Sequence, residues 1–141
     1  LEIKIMEVAY AVRKLADTYR IPDMLLNEKI RLNIYTRSKD QKRAFVDIEK
    51  EYNLDKTLSA KLKIREVCNQ IIHSYIFQAI GNSRRVFTHI LFISDRDQDK
   101  GLYSLDLKLF LQKVSKIVNT QVTKINVKYN EEKGTWQYSR K

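Results

Sequence analysis

Residues 61–75, with the sequence KLKIREVCNQIIHSY, are the most strongly patterned segment of the chain. Residues four apart on an α-helix differ by only about 40° around its axis, so every fourth residue lies in one stripe. The polar stripe of this segment consists of Lys61, Arg65, Asn69 and His73. The apolar side consists of Leu62, Val67, Ile71, Ile72, Ile76 and Ile80. This pattern predicts a long helix, the fourth of the chain, from residue 55 or 57 to Ile80, ended by Gly81 and Asn82.

Helical periodicity also predicts two helices at the start of the chain. Apolar residues alternate spacings of three and four up to Pro22, which cannot continue a helix. The apolar stripe of this opening helix is Ile5, Val8, Val12, Leu15 and Tyr19. Asp23 is a suitable N-cap for a second helix, and the polar residues 36–40 then predict a connection. The apolar residues of that second helix are Leu26, Ile30 and Ile34.

Two further helices complete the predicted helical set. The third helix has Phe45, Ile48 and Tyr52 on its buried side. The fifth begins after Asp106, a residue type that caps helix N-termini. Its apolar side consists of Leu107, Phe110, Leu111, Val114, Ile117 and Val118.

Strand signals are confined to the sequence after Ser83. Residues 86–93 are rich in β-branched and aromatic side chains and too few for a typical helix, so they predict a strand. The polar residues 95–101 predict a turn, after which residues 102–105 return as the second arm of a hairpin. Residues 125–129 and 135–138 flank a polar turn and predict a terminal hairpin.

Length and composition set the expected fold class. The chain has 141 residues, 43% of them hydrophobic, with 3 Gly and 1 Pro. This length suits one domain with its own core, and few Gly and Pro disfavour the many turns of a β-sandwich or barrel. We expect a mainly α fold, in which residues 1–141 form a single domain. That domain is a helical bundle of about five helices with one or two small β-hairpins from about residue 84.

The charge of the chain indicates its class of partner. It has 27 Lys and Arg against 17 Asp and Glu, a net charge of +10, which attracts polyanions such as nucleic acid. Surface lysines that keep the protein soluble explain the same charge equally well. Basic and aromatic residues are interleaved after residue 83, which is typical of surfaces that bind single-stranded RNA but also of cross-strand packing pairs. The candidate RNA contacts are Lys61, Arg84 and Arg85.

Other classes of protein are disfavoured. The lone Cys68 forms no intrachain disulfide and fits the reducing cytoplasm, and no apolar run approaches the about 20 residues that cross a bilayer. His73, His89 and Cys68 lack the paired spacing of a zinc site. Residues 95–106 match a calcium loop superficially, but Lys100 stands where that loop requires Gly. We therefore expect no metal, no cofactor and no membrane partner, and a solvated turn at residues 95–101.

His73 is the strongest candidate for chemistry. Histidine exchanges protons near neutral pH, so His73 is a candidate general acid or base, with Arg65 holding a phosphate and Asn69 orienting a hydroxyl or the imidazole. The alternative is a half-buried histidine bonded to a neighbour, with Asn69 satisfying a backbone group. Cys68 lies about 140° from His73 around the helix, so it cannot pair with it as a nucleophile. We interpret Cys68 as a small core residue.

The run CNQIIHSY at residues 68–75 resembles the signature helix of the HEPN superfamily, the higher eukaryotes and prokaryotes nucleotide-binding domains. Its motif is an Arg, four to six residues, then His, often with Asn directly after the Arg. The resemblance covers about one helix and matches Asn69 and His73. It implies a helical bundle that dimerises through facing motif helices. In active members it implies a metal-independent ribonuclease, of toxin or antiviral systems, in which Arg and His promote attack by the RNA 2′-hydroxyl.

The motif arginine is replaced here, because its position falls on Cys68. The nearest arginine, Arg65, starts about 12 Å below His73 along a helix, so the two do not readily converge on one phosphate within a chain. A homodimer partner or another basic residue then supplies the cation, or the domain has lost catalysis and kept binding. The sequence thus predicts an RNA-binding protein with endoribonuclease residues His73, Asn69 and Arg65, or a catalytically inactive dimeric module that binds a protein.

Overall fold

The computed structural model describes residues 1–38 and 47–141. Its helices are α1 (Glu2–Asp17), α2 (Asp23–Asn27), α3 (Ile48–Glu51), α4 (Ile64–Ile72) and α5 (Leu107–Val118). Its strands are β1 (Lys29–Arg37), β2 (Tyr52–Lys63), β3 (Ser74–Gly81), β4 (Phe87–Ser94), β5 (Leu102–Asp106), β6 (Ile125–Asn130) and β7 (Thr135–Arg140). A 3₁₀ helix, Asp95–Lys100, joins β4 to β5. Within these two ranges no helix is both long and apolar enough to cross a membrane.

Five strands form one antiparallel sheet in the order β2-β1-β5-β4-β3, and β6 and β7 form a separate hairpin. Directly paired residues of neighbouring strands share a face of the sheet. Tyr103 pairs with Ile34 of β1 and with Phe92 of β4, so these side chains lie on one apolar face. α1 packs on α4, and both α4 and α5 pack on β4. The resulting core includes Ile5, Val12, Ile64, Ile71, Ile90, Phe92, Leu105 and Phe110.

The prediction of a mainly helical bundle is wrong, because strands and helices occupy nearly equal shares of an α+β fold. The predicted second helix ends at Asn27, and its apolar residues Ile30 and Ile34 lie in β1. Of the segment predicted as the fourth helix, only the nine residues of α4 are helical. The residues before and after α4 lie in β2 and β3. The reason is periodicity: a spacing of four is also twice the strand period of two. Ile30 and Ile34 therefore satisfy both patterns.

Several predicted elements are confirmed. α1 covers most of the predicted opening helix, β4 and β5 pair as the predicted hairpin, and β6 and β7 form the terminal one. Asp106 caps α5 as predicted, since its Oδ1 accepts a hydrogen bond from the Leu109 backbone N–H at 2.8 Å. The predicted third helix is reduced to Ile48–Glu51. Phe45 lies outside the described residues.

Candidate functional site

α4 presents its polar residues to an open pocket because its other side is taken up by the core. Ile64, Val67, Cys68 and Ile71 are buried. The helix ends at His73, whose backbone N–H donates to the Asn69 carbonyl at 3.1 Å. The pocket has a volume of about 430 Å³. It is lined by Arg13, Asn69, Gln70, His73, Ser94, Asp95 and Arg96, which come from α1, α4 and the junction of β4 with the 3₁₀ helix.

Arg13 is the cation of this pocket, and sequence reasoning missed it. Its Nη1 donates a hydrogen bond to Oδ1 of Asn69, 56 residues away in sequence. Its Nε donates to Asp17, at 3.0 Å to Oδ2 and 3.2 Å to Oδ1. Two partners on different helices therefore fix the guanidinium. The only local signal was an Arg and an Asp four residues apart on one helix, a common surface pair.

The His73 imidazole is exposed and lines the pocket. Within the described part of the chain, no hydrogen bond or ion pair reaches its ring nitrogens. Within the part of the chain that the structure describes, the interpretation of His73 as half-buried and hydrogen-bonded is therefore wrong. Arg96, whose side chain is 89% exposed, adds a second guanidinium to the pocket. One imidazole and two guanidiniums suit a phosphate group.

A buried carboxylate fixes the wall of the pocket. Gln70 donates through Nε2 to Oδ2 of Asp97 and accepts from the Ser94 backbone N–H at 3.0 Å. The Lys100 Nζ lies 2.8 Å from Asp97 Oδ1. Hydrogen bonds from Lys100 and Gln70 lower the pKa of Asp97, and the bond to Asp97 raises the pKa of Lys100. Asp97 is therefore buried and bound to Gln70 and Lys100. The prediction of a solvated turn is wrong for this residue.

The described residues offer no cluster of metal ligands, and their one thiol, Cys68, is buried. Across residues 1–38 and 47–141, no three His, Cys, Asp or Glu side chains cluster closely enough to hold a metal ion. Burial raises the pKa of the Cys68 thiol to about 12, and the residue belongs to the core. The interpretation of Cys68 as a core residue is confirmed.

Arg65 lies apart from the pocket, in the first turn of α4. Its Nη2 donates to Oδ1 of Asp17 at 3.1 Å, so Asp17 joins Arg65 to Arg13. Arg65 lines a different cavity of about 270 Å³. The other residues of that cavity are Ala16, Asp17, Tyr19, Tyr138 and Arg140. Of the predicted catalytic residues, the structure therefore brings Asn69 and His73 into one pocket and places Arg65 in a separate cavity.

Lys61 belongs to a ladder of four cations at one end of β1 and β2. Lys61 pairs directly with Arg31, and Lys63 pairs with Lys29, on the same face of the sheet. None of the four has an ion-pair partner in the described ranges. We call these residues the basic ladder. Like charges directly opposite are unfavourable, so the ladder attracts anions.

Arg84 and Arg85 are exposed in the turn between β3 and β4, away from Lys61. β2 and β3 are the two edges of the five-stranded sheet. Four inter-strand spacings of about 4.8 Å place these edges roughly 19 Å apart. The structure therefore does not bring the three predicted RNA contacts together.

No protein-family model, curated protein or solved structure matches this chain.

Proposed function

We propose that the protein binds RNA and cleaves it in the pocket of Arg13, Asn69 and His73. The supporting observation is that Arg13 is held against Asn69, one helical turn from a solvent-accessible imidazole. Asn69 and His73 are separated by about 6 Å along the helix axis. A phosphate bound to the Arg13 guanidinium therefore lies within reach of His73.

The residues support attack by the neighbouring ribose. His73 removes the proton of a 2′-hydroxyl, and the 2′-oxygen forms a bond to the adjacent phosphorus. The bond from phosphorus to the 5′-oxygen breaks, which leaves a 2′,3′-cyclic phosphate and a 5′-hydroxyl that takes its proton from water. Arg13 and Arg96 stabilise the negative charge that develops on the phosphate oxygens.

Arg13 provides an arginine for a motif whose own arginine position is occupied by Cys68. The HEPN resemblance implies an Arg and a His as the acting pair, and Arg13 of α1 supplies the guanidinium that Cys68 replaces in the motif. Because Arg13 lies in the same chain, the proposed site requires no second subunit. The homodimer and the cytoplasmic location remain predictions. The helical bundle that the resemblance implies is not part of this proposal.

The basic ladder supports RNA as the substrate, since it offers unpaired cations to a phosphate backbone. A second candidate function is a catalytically inactive module that binds a protein. Exposed apolar residues of the β6-β7 hairpin also suit the surface of a protein partner. The two functions differ in whether purified protein cleaves RNA.

The test is an assay of end-labelled, unstructured RNA with wild-type protein, His73→Ala and His89→Ala. His89 is the matched control because it lies in β4 and hydrogen-bonds Thr88 at 3.1 Å, outside the pocket. We expect His73→Ala to cleave about 10² to 10⁴ times more slowly, and His89→Ala to cleave like wild type. Products should end in a 2′,3′-cyclic phosphate. Wild-type protein that leaves several RNA sequences intact would support the binding module instead.

A further inference from the structure

The β6-β7 hairpin has one apolar and one polar face. Tyr129 pairs with Trp136, and Val127 pairs with Tyr138, on the same face. The opposite face carries Asn126, Lys128, Asn130, Thr135, Gln137 and Ser139. The apolar side chains remain 44% to 59% exposed, with Trp136 the most exposed. We call this row the aromatic face, made of Ile125, Val127, Tyr129, Trp136 and Tyr138.

The aromatic face is attached to the body of the protein by contacts of Arg140 and Tyr138. Arg140 binds Asp23, and its Nη1 donates to the Ala16 carbonyl at 3.0 Å. Tyr138 contacts Tyr19 with ring centroids 5.1 Å apart, and the Arg140 guanidinium lies 5.1 Å from the Tyr19 ring centroid. A surface that is ordered before binding loses little conformational entropy when a ligand arrives.

Its surroundings favour a polyanion with flat apolar groups. Residues 122–141 contain five basic and two acidic residues, so the segment that carries the exposed rings has a net positive charge. Unpaired bases stack on exposed aromatic rings, and the phosphates between them pair with Lys and Arg. An acidic or uncharged protein surface would satisfy only one of these two features.

The aromatic face is linked to the proposed cleavage pocket through Asp17. Tyr138 and Tyr19 line the 270 Å³ cavity that also contains Arg65 and Arg140. Asp17 lines the same cavity and binds both Arg65 and Arg13. One carboxylate therefore joins the cavity beside Tyr138 to the arginine of the His73 pocket.

We propose that the aromatic face binds unpaired bases of single-stranded RNA and leads the strand past Arg140 and Arg65 to the pocket. The inference rests on the proposed function for its choice of RNA, but binding is measurable without cleavage. In a duplex the faces of the bases are covered by stacking on the neighbouring base pairs, so single-stranded nucleic acid is the expected ligand and duplex the poor one.

The experiment titrates the protein with a 2′-O-methyl 12-mer, which lacks the nucleophile for cleavage, as a single strand and as a duplex. Trp136 is the only tryptophan, so stacking should quench its fluorescence in the wild type, and the anisotropy of a dye-labelled 12-mer measures binding by every variant. We expect Trp136→Ala and Tyr129→Ala each to weaken single-strand binding about 5-fold to 150-fold, the equivalent of about 1–3 kcal/mol per stacked base. Trp136→Phe should retain most of the affinity, which excludes a folding defect as the cause.

Controls separate this inference from the cleavage proposal. Gln137→Ala, on the polar face of the same hairpin, should bind like wild type. Wild-type protein that binds the single strand but leaves cleavable RNA intact would retain the aromatic face and remove the cleavage function. Duplex bound as tightly as single strand, or unchanged binding by Trp136→Ala, would overturn the inference. A dimer that Trp136→Ala disrupts and RNA does not displace would show that a second copy covers this face.

Discussion

Arg140 and Asp23 are 117 residues apart in sequence and share two hydrogen bonds. The Arg140 backbone N–H donates to Oδ2 of Asp23 at 2.8 Å, and Nε donates to Oδ1 at 2.7 Å. The Arg140 side chain is only 13% exposed. This contact attaches the last strand of the chain to the start of α2 and so fixes the position of the aromatic face.

Asp23→Ala should destabilise the protein by about 1–3 kcal/mol, because it leaves a mostly buried guanidinium without its carboxylate. Urea unfolding measures the change. Glu7→Ala is the control, since its ion pair with Lys4 is exposed at 78% and 56%, and it should cost less than about 0.5 kcal/mol. Equal losses in the two variants would show that the Arg140 contact adds no stability.

Gly101 precedes β5 in a backbone conformation that disfavours other residues. Its φ is +116°, and a Cβ added there would lie 2.5 Å from the Tyr35 carbonyl oxygen. Gly101→Ala should therefore cost at least about 1–3 kcal/mol of unfolding free energy. Gly81→Ala is the matched control, because its nearest atom, the Val86 carbonyl oxygen, is 3.3 Å away. A similar midpoint in urea for both variants would contradict this account.

Asp97 should make stability depend on acid pH. Lys100 and Gln70 lower its pKa in the folded protein below the unfolded value of about 3.9. The contribution of ionised Asp97 to the free energy of unfolding is therefore complete above about pH 4. It is lost as the pH falls through the lower pKa of the folded protein. The stability difference between wild type and Asp97→Asn should shrink in that acid range. A stability difference for Asp97→Asn that stays constant across that acid range would contradict the prediction.

The basic ladder should contribute to the salt dependence of RNA binding. Each phosphate contact of a single strand adds about 0.7 to the slope of log affinity against log salt concentration. Arg31→Ala with Lys61→Ala should therefore reduce the slope by about 1 to 2. Arg84→Ala with Arg85→Ala removes the same charge at the other edge of the sheet and should reduce it less. Equal reductions would mean that only net charge matters.

Local signals in the sequence predicted the elements whose pattern of apolar residues fits only a helix or only a strand. Asp106 before an apolar stripe gave the capped helix α5, and alternating residues around a polar turn gave the β6-β7 hairpin. The five-stranded sheet was missed because Ile30 and Ile34 in β1, and Ile76 and Ile80 in β3, are spaced by four. That spacing fits a helix and a strand alike, so only pairing with β5 and β4 decides between them.

The site was predictable only where it is local. Asn69 and His73 share one helical turn, and the sequence placed them together. Arg13 reaches Asn69 across 56 residues, through the packing of α1 on α4, and no spacing rule reports such a contact. The aromatic residues of the hairpin were visible in the sequence, but their exposure depends on what the rest of the chain leaves uncovered.

Arg13 and Arg65 provide the sharpest test of the proposed mechanism. Arg13→Ala should slow RNA cleavage at least about 10²-fold, because it removes the guanidinium beside His73. Arg65→Ala should have a smaller effect on kcat and act mainly on KM, since Arg65 meets the pocket only through Asp17. Arg13→Lys should remain impaired, because an ammonium cannot reproduce the fork that binds Asn69 and Asp17 together.

Lys14→Ala, next to Arg13 and exposed, removes the same charge from α1 and should cleave like wild type. Thermal unfolding of all four variants identifies any loss that comes from misfolding. If Arg65→Ala lost as much kcat as Arg13→Ala at an unchanged unfolding temperature, Arg65 would be the acting cation. Its distance from His73 along α4 would then require a second subunit, and the single-chain site would be wrong.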